Sequence, residues 1–157
     1  MGYYDPATIC LNGHVASTTQ ANVRPFCKEC GKQTISVCQS CNSPIQGAFY
    51  IPGVVTLGGK YDKPNYCHEC GKAYPWTQNV IDNAIELLYL DEVIDDETKQ
   101  IIKDAIPDLV VDNPSTPLAA AKYKKFIPKT AEFVQNGLRN IFIDIVSESV
   151  KKTIWPS

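Results

Sequence analysis

The sequence predicts an α+β protein in two parts. A small zinc-bound β region, a double zinc ribbon with a β-hairpin insert, spans residues 1–75, and an all-α region of about four helices spans 76–157. Three observations predict it. All seven cysteines lie within the first 70 residues, and six of them form Cys-x-x-Cys pairs. Beyond Pro75 apolar residues recur at helical spacing instead. The chain has 157 residues, 44% hydrophobic and 20% charged, which suits one ordinary core or two small units and excludes a large multidomain enzyme.

The β region is read from its ligands. Seven is an odd number and cannot close a complete disulfide framework, so metal is the better account of the cysteines. Cys10 is followed four residues later by His14, a further pair of soft ligands beside Cys27/Cys30, Cys38/Cys41 and Cys67/Cys70. Structural zinc takes four ligands, so seven thiols and one imidazole fill two closed sites. Pairing in chain order puts Cys10, His14, Cys27 and Cys30 in the first site and Cys38, Cys41, Cys67 and Cys70 in the second, with interleaved pairing still open. A repeat supports this order. Phe26-Cys27-Lys28-Glu29-Cys30-Gly31-Lys32 recurs as Tyr66-Cys67-His68-Glu69-Cys70-Gly71-Lys72, and Gly31 and Gly71 stand where a knuckle turn can require positive φ.

Other cysteine chemistries fit less well. A redox pair needs a helix N-terminus after a strand, whereas these pairs run into turn sequences such as Gly31-Lys32 and Asn42-Ser43-Pro44. The Cys10/His14 pair does not suit an iron–sulfur cluster. Catalytic zinc would keep a position open to water, and the His-x-Glu with Pro-Cys-x-x-Cys pattern of deaminases is missing. His68 reads as an exposed histidine on the knuckle rim. Lys28, Lys32 and Lys72 offset the negative charge of the thiolate sites.

Between the ligand pairs of the second site, the β-prone runs on either side of Pro52-Gly53, within 46–59, predict a hairpin, with Lys60-Tyr61-Asp62-Lys63 at an exposed tip. In the second region Thr77 is the expected N-cap of a helix carrying Val80, Ile81, Ala84, Ile85, Leu87 and Leu88. A second helix opens at Asp95 or Asp96, carries Ile101, Ile102, Ala105 and Ile106, and is expected to stop at Pro107. Thr116-Pro117 reads as the N-cap and first position of a short helix through Tyr123 to Ile127. One long helix is expected over about 129–154, with the stripe Val134, Leu138, Ile141, Phe142, Ile145, Val146 and Val150. Phe133, Ile143 and Trp155 lie partly off that stripe.

Net charge is −2 and uneven: +2 over 1–76, −8 over 77–112 and +4 over 113–157. The simplest reading is solvated helical faces that complement one another within the fold or between copies.

With this ligand set, Ser43-Pro44-Ile45-Gln46-Gly47 after the third pair, and the run from Tyr66 to Thr77 before the helices, the chain resembles an uncharacterised bacterial protein family. Its members have an N-terminal zinc ribbon region and a helical C-terminal region. The closing Ser147-Glu148-Ser149-Val150-Lys151-Lys152 is similar to that family's last helix. The resemblance covers nearly the whole chain and implies this architecture, but no activity.

The functional expectation is a non-catalytic interaction or adaptor protein holding two Zn2+. The ribbons would be a rigid binding platform, and the helices would dock a protein partner or another copy. Beyond the metal ligands there is no Gly-rich phosphate loop and no Ser/His/Asp set. The alternative is nucleic-acid binding through Arg24, Lys28, Lys32, Lys60, Tyr61, Lys63, Lys72 and Tyr74, which could pair phosphates and stack bases. A sequence pI near 5.6 argues against a strong basic footprint. No apolar run is long enough for a membrane span and the N-terminus lacks a signal-peptide pattern, so the expected location is the cytoplasm, away from membranes.

Overall fold

The computed structural model describes residues 2–21, 23–55 and 59–156. The chain divides into two compact units, Met1–Asn79 and Val80–Ser157.

The first unit is built from very short strands. β1 (Tyr3–Pro6) pairs antiparallel with β5 (Gln46–Tyr50), setting Tyr3 opposite Tyr50 and Tyr4 opposite Phe49. β2 (Thr8–Cys10) is the centre of a three-stranded antiparallel sheet, between β3 (Val15–Ser17) and β4 (Thr34–Ile35). The first run of the expected hairpin is a strand, and its partner among the described residues is β1. Pro52-Gly53 does form a turn, with Gly53 at φ 82° and the Val54 N–H donating to the Ile51 carbonyl at 3.1 Å. The strand before it pairs at the N-terminus, where the Tyr3–Tyr50 and Tyr4–Phe49 rings meet at centroid distances of 5.3 and 4.8 Å. Cross-strand aromatic pairs of this kind stabilise a ladder. Val54 and Val55 carry no strand, and Thr56 to Gly58 of the expected second run lie outside the described residues. Gly47 in β5 is obligatory: a Cβ there would stand 2.3 Å from the Thr18 carbonyl oxygen and 2.4 Å from that of Asp5. The buried cluster of this unit is small: Ala7, Ile9, Cys38, Ile45, Cys67, Tyr74 and Trp76.

The second unit is helical. α1 (Pro75–Tyr89) starts before the expected cap, because Pro75 takes the first helical position and Thr77 is a buried third residue whose hydroxyl donates to Asn65 Oδ1 at 3.1 Å. α2 (Asp96–Leu109) opens where expected, with Asp95 accepting from the Thr98 N–H. It then runs through Pro107 rather than stopping there. A proline so near the end removes one ladder bond, while the extra turn buries Leu109. α3 (Thr116–Phe126) includes Thr116, one residue earlier than expected, and a single 3-10 turn follows at Ile127–Lys129.

The long terminal helix is also corrected: α4 (Glu132–Phe142) and α5 (Glu148–Ile154) replace it, giving five α-helices among the described residues rather than four. Thr130 is extended at φ −82° and ψ 169°, and so is Ser147 at φ −66° and ψ 160°, whose hydroxyl accepts from the Val150 N–H. A serine capping a new helix offers the backbone an alternative to continuing the old one. The stripe survives the break in part. Val134, Leu138, Phe142, Val146 and Val150 are buried, Ile141 is half-buried, and Ile145 faces out. They join a core with Ile81, Ala84 and Leu88 of α1, Ile102, Ala105, Ile106 and Leu109 of α2, and Tyr123 of α3. Phe133 is exposed, whereas Trp155 packs edge-on to Tyr123. Among the described residues no helix is long and apolar enough to cross a membrane.

Candidate metal centres

Four tight turns in the first unit present the ligands. In three of them the first cysteine's N–H reaches forward across the turn, Cys27 to the Lys32 carbonyl at 2.8 Å, Cys38 to Ser43 at 2.8 Å and Cys67 to Lys72 at 2.9 Å. Its carbonyl accepts from the residue after the second cysteine, Gly31, Asn42 and Gly71 respectively. Those three residues have φ of 76°, 63° and 76°, the left-handed region that glycine and asparagine enter most readily. The fourth turn closes β2: Gly13, at φ 93°, donates to the Cys10 carbonyl, and Cys10 donates back to that of His14. In each of the four pairs the first ligand is buried and the second exposed.

These turns bring the predicted ligands together in chain order. Cys10, His14, Cys27 and Cys30 form one group and Cys38, Cys41, Cys67 and Cys70 the other, with the ligand atoms of each all within 4.8 Å of one another. Sulfurs stand 3.7 Å apart for Cys10–Cys30, 3.7 Å for Cys38–Cys70 and 3.6 Å for Cys41–Cys67. Disulfide sulfurs would be about 2.05 Å apart. Four sulfurs each about 2.3 Å from a central divalent ion stand about 3.8 Å apart along the edges of a tetrahedron. His14 offers Nδ1, at 3.5 Å from Cys10 Sγ and 3.6 Å from Cys27 Sγ, close to the sulfur–nitrogen edge of about 3.6 Å in the same geometry. Both groups thus have the size and donor set to hold a tetrahedral metal ion.

Donors around the sulfurs favour their thiolate forms. Backbone N–H groups point at Cys10 from His14 at 3.3 Å, at Cys27 from Glu29 at 3.4 Å and at Cys67 from Glu69 at 3.4 Å, while Asn12 Nδ2 donates to Cys30 at 3.3 Å. The Lys32 N–H is the main cause holding the Cys30 thiol down at about 6, and the N–H groups of Cys70 and Glu69 do the same for Cys67, also to about 6. Cys70 shows the other side of a shared cluster. The Lys72 N–H lowers it, but partial desolvation and hydrogen bonding with Cys38, Cys41 and Cys67 prevail and raise it to about 11.

A family model described as an uncharacterized protein conserved in bacteria (DUF2321) matches residues 3–154. The chain belongs to this family. No curated protein and no solved structure matched.

In this DUF2321 chain the remaining predicted site residues are scattered. Arg24, Lys28, Lys32, Lys60 and Lys72 are exposed. The other three of the proposed nucleic-acid contacts are turned inward. Tyr74 is buried, the Tyr61 hydroxyl donates to the Gln46 carbonyl at 2.5 Å with burial pushing its pKa up to about 12, and Lys63 Nζ donates to the Gly13 carbonyl at 2.8 Å. Lys63 also lies over the Trp76 ring at 5.7 Å, so the expected exposed tip is half interior. His68 is exposed on the rim, 3.6 Å from Glu69. Two features went unread in the sequence. Asn42 makes the third knuckle equivalent to the glycine pair, and its residue type, tolerant of positive φ, was the available signal. Asn12, a side-chain donor to a ligand sulfur, carried none.

Proposed function

We propose that this is a zinc protein whose two sites are structural, and that it works without catalysis as an interaction or adaptor protein. The ribbon region is the rigid platform, and the helical region docks a protein partner or a second copy. Closure carries the reading: each cluster offers four soft donors at tetrahedral spacing, which leaves no ligand position for a water or substrate. The mixed donor set of the first group, three sulfurs and an imidazole, favours zinc over an iron–sulfur cluster. Seven unpaired thiols suit a reducing compartment such as the cytoplasm. Native mass spectrometry of metal-replete protein tests the reading. Two zinc ions per chain in a defined assembly support it, while one or none, or turnover that a point mutation abolishes with the zinc retained, ends it.

A second reading, nucleic-acid binding, draws on one observation. Phe26, which leads the first aromatic knuckle, is 63% exposed beside the exposed Lys28 and Lys32. Stacking on that ring with phosphate pairing by the lysines would weaken steeply with salt. Binding indifferent to salt, or surviving loss of those lysines, removes this reading.

A further inference from the structure

Among the described residues of the ribbon unit, buried side-chain nitrogens and oxygens have hydrogen-bond partners with one exception. Thr8 Oγ1 meets Ser36 Oγ at 2.9 Å, and Trp76 Nε1 donates to the Pro64 carbonyl at 3.0 Å. The Tyr74 hydroxyl, on a side chain only 1% exposed, makes no conventional hydrogen bond. Leaving a buried hydroxyl unsatisfied costs about 1–3 kcal/mol, a cost that phenylalanine would avoid while filling the same space.

The surroundings of that hydroxyl say what it is for. Tyr74 follows the Cys67–Cys70 knuckle directly, its N–H donating to the Asn65 carbonyl at 3.0 Å across the Tyr66–Ala73 bridge. Its ring is stacked on Trp76 at 4.9 Å and 23°, which fixes its direction. It belongs to the same buried cluster as Cys38 and Cys67. Ala7, Ile9, Ile45 and Trp76 complete that cluster and their side chains offer no acceptor, which leaves the sulfurs of Cys38 and Cys67, both from the second metal group, and Cys67 stands on Tyr74's own knuckle. A neutral thiol is a weak acceptor, whereas a metal-bound thiolate is an anionic one.

We propose that the Tyr74 hydroxyl donates to the Cys67 sulfur when the second site holds its metal, making Tyr74 a positioning residue for that site. This rests on the zinc reading above. Four thiolates on a divalent ion leave a charge of −2, and a hydroxyl hydrogen bond stabilises one of them in a place water cannot reach. The first site has a counterpart, Asn12 Nδ2 donating to Cys30 at 3.3 Å. Each site then has one side chain tuning one sulfur.

The test is stepwise metal binding to the full chain, with cobalt(II) and zinc competed against a chelator, in wild type, Tyr74→Phe and Tyr123→Phe. Two binding steps in wild type uphold the zinc reading, and the all-thiolate step is told apart by its stronger sulfur-to-cobalt absorption. Tyr74→Phe keeps the ring on Trp76 and should weaken that step alone, about 10- to 100-fold, and shift its charge-transfer band. Tyr123→Phe, which removes the buried hydroxyl of the helical unit, should change neither step. Unchanged affinity and band in a folded Tyr74→Phe, or equal weakening of both steps, overturns the proposal while leaving the zinc reading intact. A wild type that binds fewer than two ions ends both. Wild-type protein loaded with a spin-half cadmium isotope gives a check that needs no variant. The Tyr74 hydroxyl proton should exchange slowly with water and couple to one cadmium nucleus, and fast exchange without coupling overturns the assignment.

Discussion

The Asp91 carboxylate accepts a hydrogen bond from the backbone N–H of Ala131 at 2.6 Å, across 40 residues of sequence. Its other oxygen accepts from Val93 at 2.9 Å and Ile94 at 2.8 Å, and its own carbonyl accepts from Lys99 Nζ. Asp91 is 1% exposed and stitches the turn after α1 to the entry of α4, where the Ala131 side chain provides no cap. Burial would raise its pKa, but the Ala131, Ile94 and Val93 N–H groups and the Lys99 charge outweigh burial and hold it below the ordinary aspartate range.

Replacing this carboxylate should therefore be costly and pH-dependent. Asp91→Asn puts an amide N–H against backbone donors, and the helical unit should lose about 1.5–3 kcal/mol at neutral pH. Because the folded pKa is depressed, the advantage of wild type is full above the unfolded value of about 3.9 and disappears as pH falls through the folded value. Hydrogen exchange of residues 80–156 in both proteins across that range measures it. A gap that widens in acid would contradict the assignment.

Metal removal should separate the two units. The ribbon cluster has seven buried residues, two of them ligands, whereas the helical cluster has 17 and contains no ligand. On the zinc reading proposed above, so small an apolar cluster depends on metal to stay folded. A strong chelator should make residues 2–79 exchange freely while α2 to α5 keep their protection. Retained protection around Cys38 and Cys67 would count against metal-driven folding.

The glycines of the ribbon should differ sharply in tolerance. At Gly71 a Cβ would meet nothing within 4 Å, so Gly71→Ala carries only the cost of φ 76°, about 1–2 kcal/mol. Gly47→Ala would force a methyl carbon against two backbone carbonyls, and strand β5 would have to leave β1. Thermal unfolding of the metal-loaded protein should show a modest loss for the first and a failure to fold for the second. Equal effects would mean that the close approach at Gly47 is relieved by backbone movement.

What the sequence disclosed was local. Ligand spacing, the knuckle repeat, the Asp95 cap and the apolar stripes all depend on neighbours a few residues away, and the structure brings the eight ligands together in that order. Pairing of β5 with Tyr3 and Tyr4 depends on a contact more than 40 residues away, and no local pattern encodes it. Asp91 looked like one more acid in an acidic segment. The break between α4 and α5 was written in Ser147, but a continuous stripe of apolar residues masked it. An aromatic after a knuckle looks the same in sequence whether it faces in, as Tyr74 does, or out, as the nucleic-acid alternative requires of it.

Gly137 tests how tightly the helical unit is packed. It lies inside α4, where glycine is a poor helix former and alanine should stabilise by about 1 kcal/mol. A Cβ there would stand 2.4 Å from Leu87 Cδ2 and 3.5 Å from both Cδ1 and Cγ, so the leucine of α1 must rotate away to admit it. Leu87 is half-buried against the core, and that rotation gives up its packing. Gly137→Ala should therefore stabilise by much less than the helix scale predicts, or destabilise. In a Leu87→Ala background the obstacle is gone, and the same substitution should recover its gain of about 1 kcal/mol. A double-mutant cycle by chemical denaturation should give a coupling of about 1–2 kcal/mol between the two positions, within the range for residues in contact. Additive effects would show that Leu87 yields without cost, and that the glycine is not needed for the α1–α4 approach.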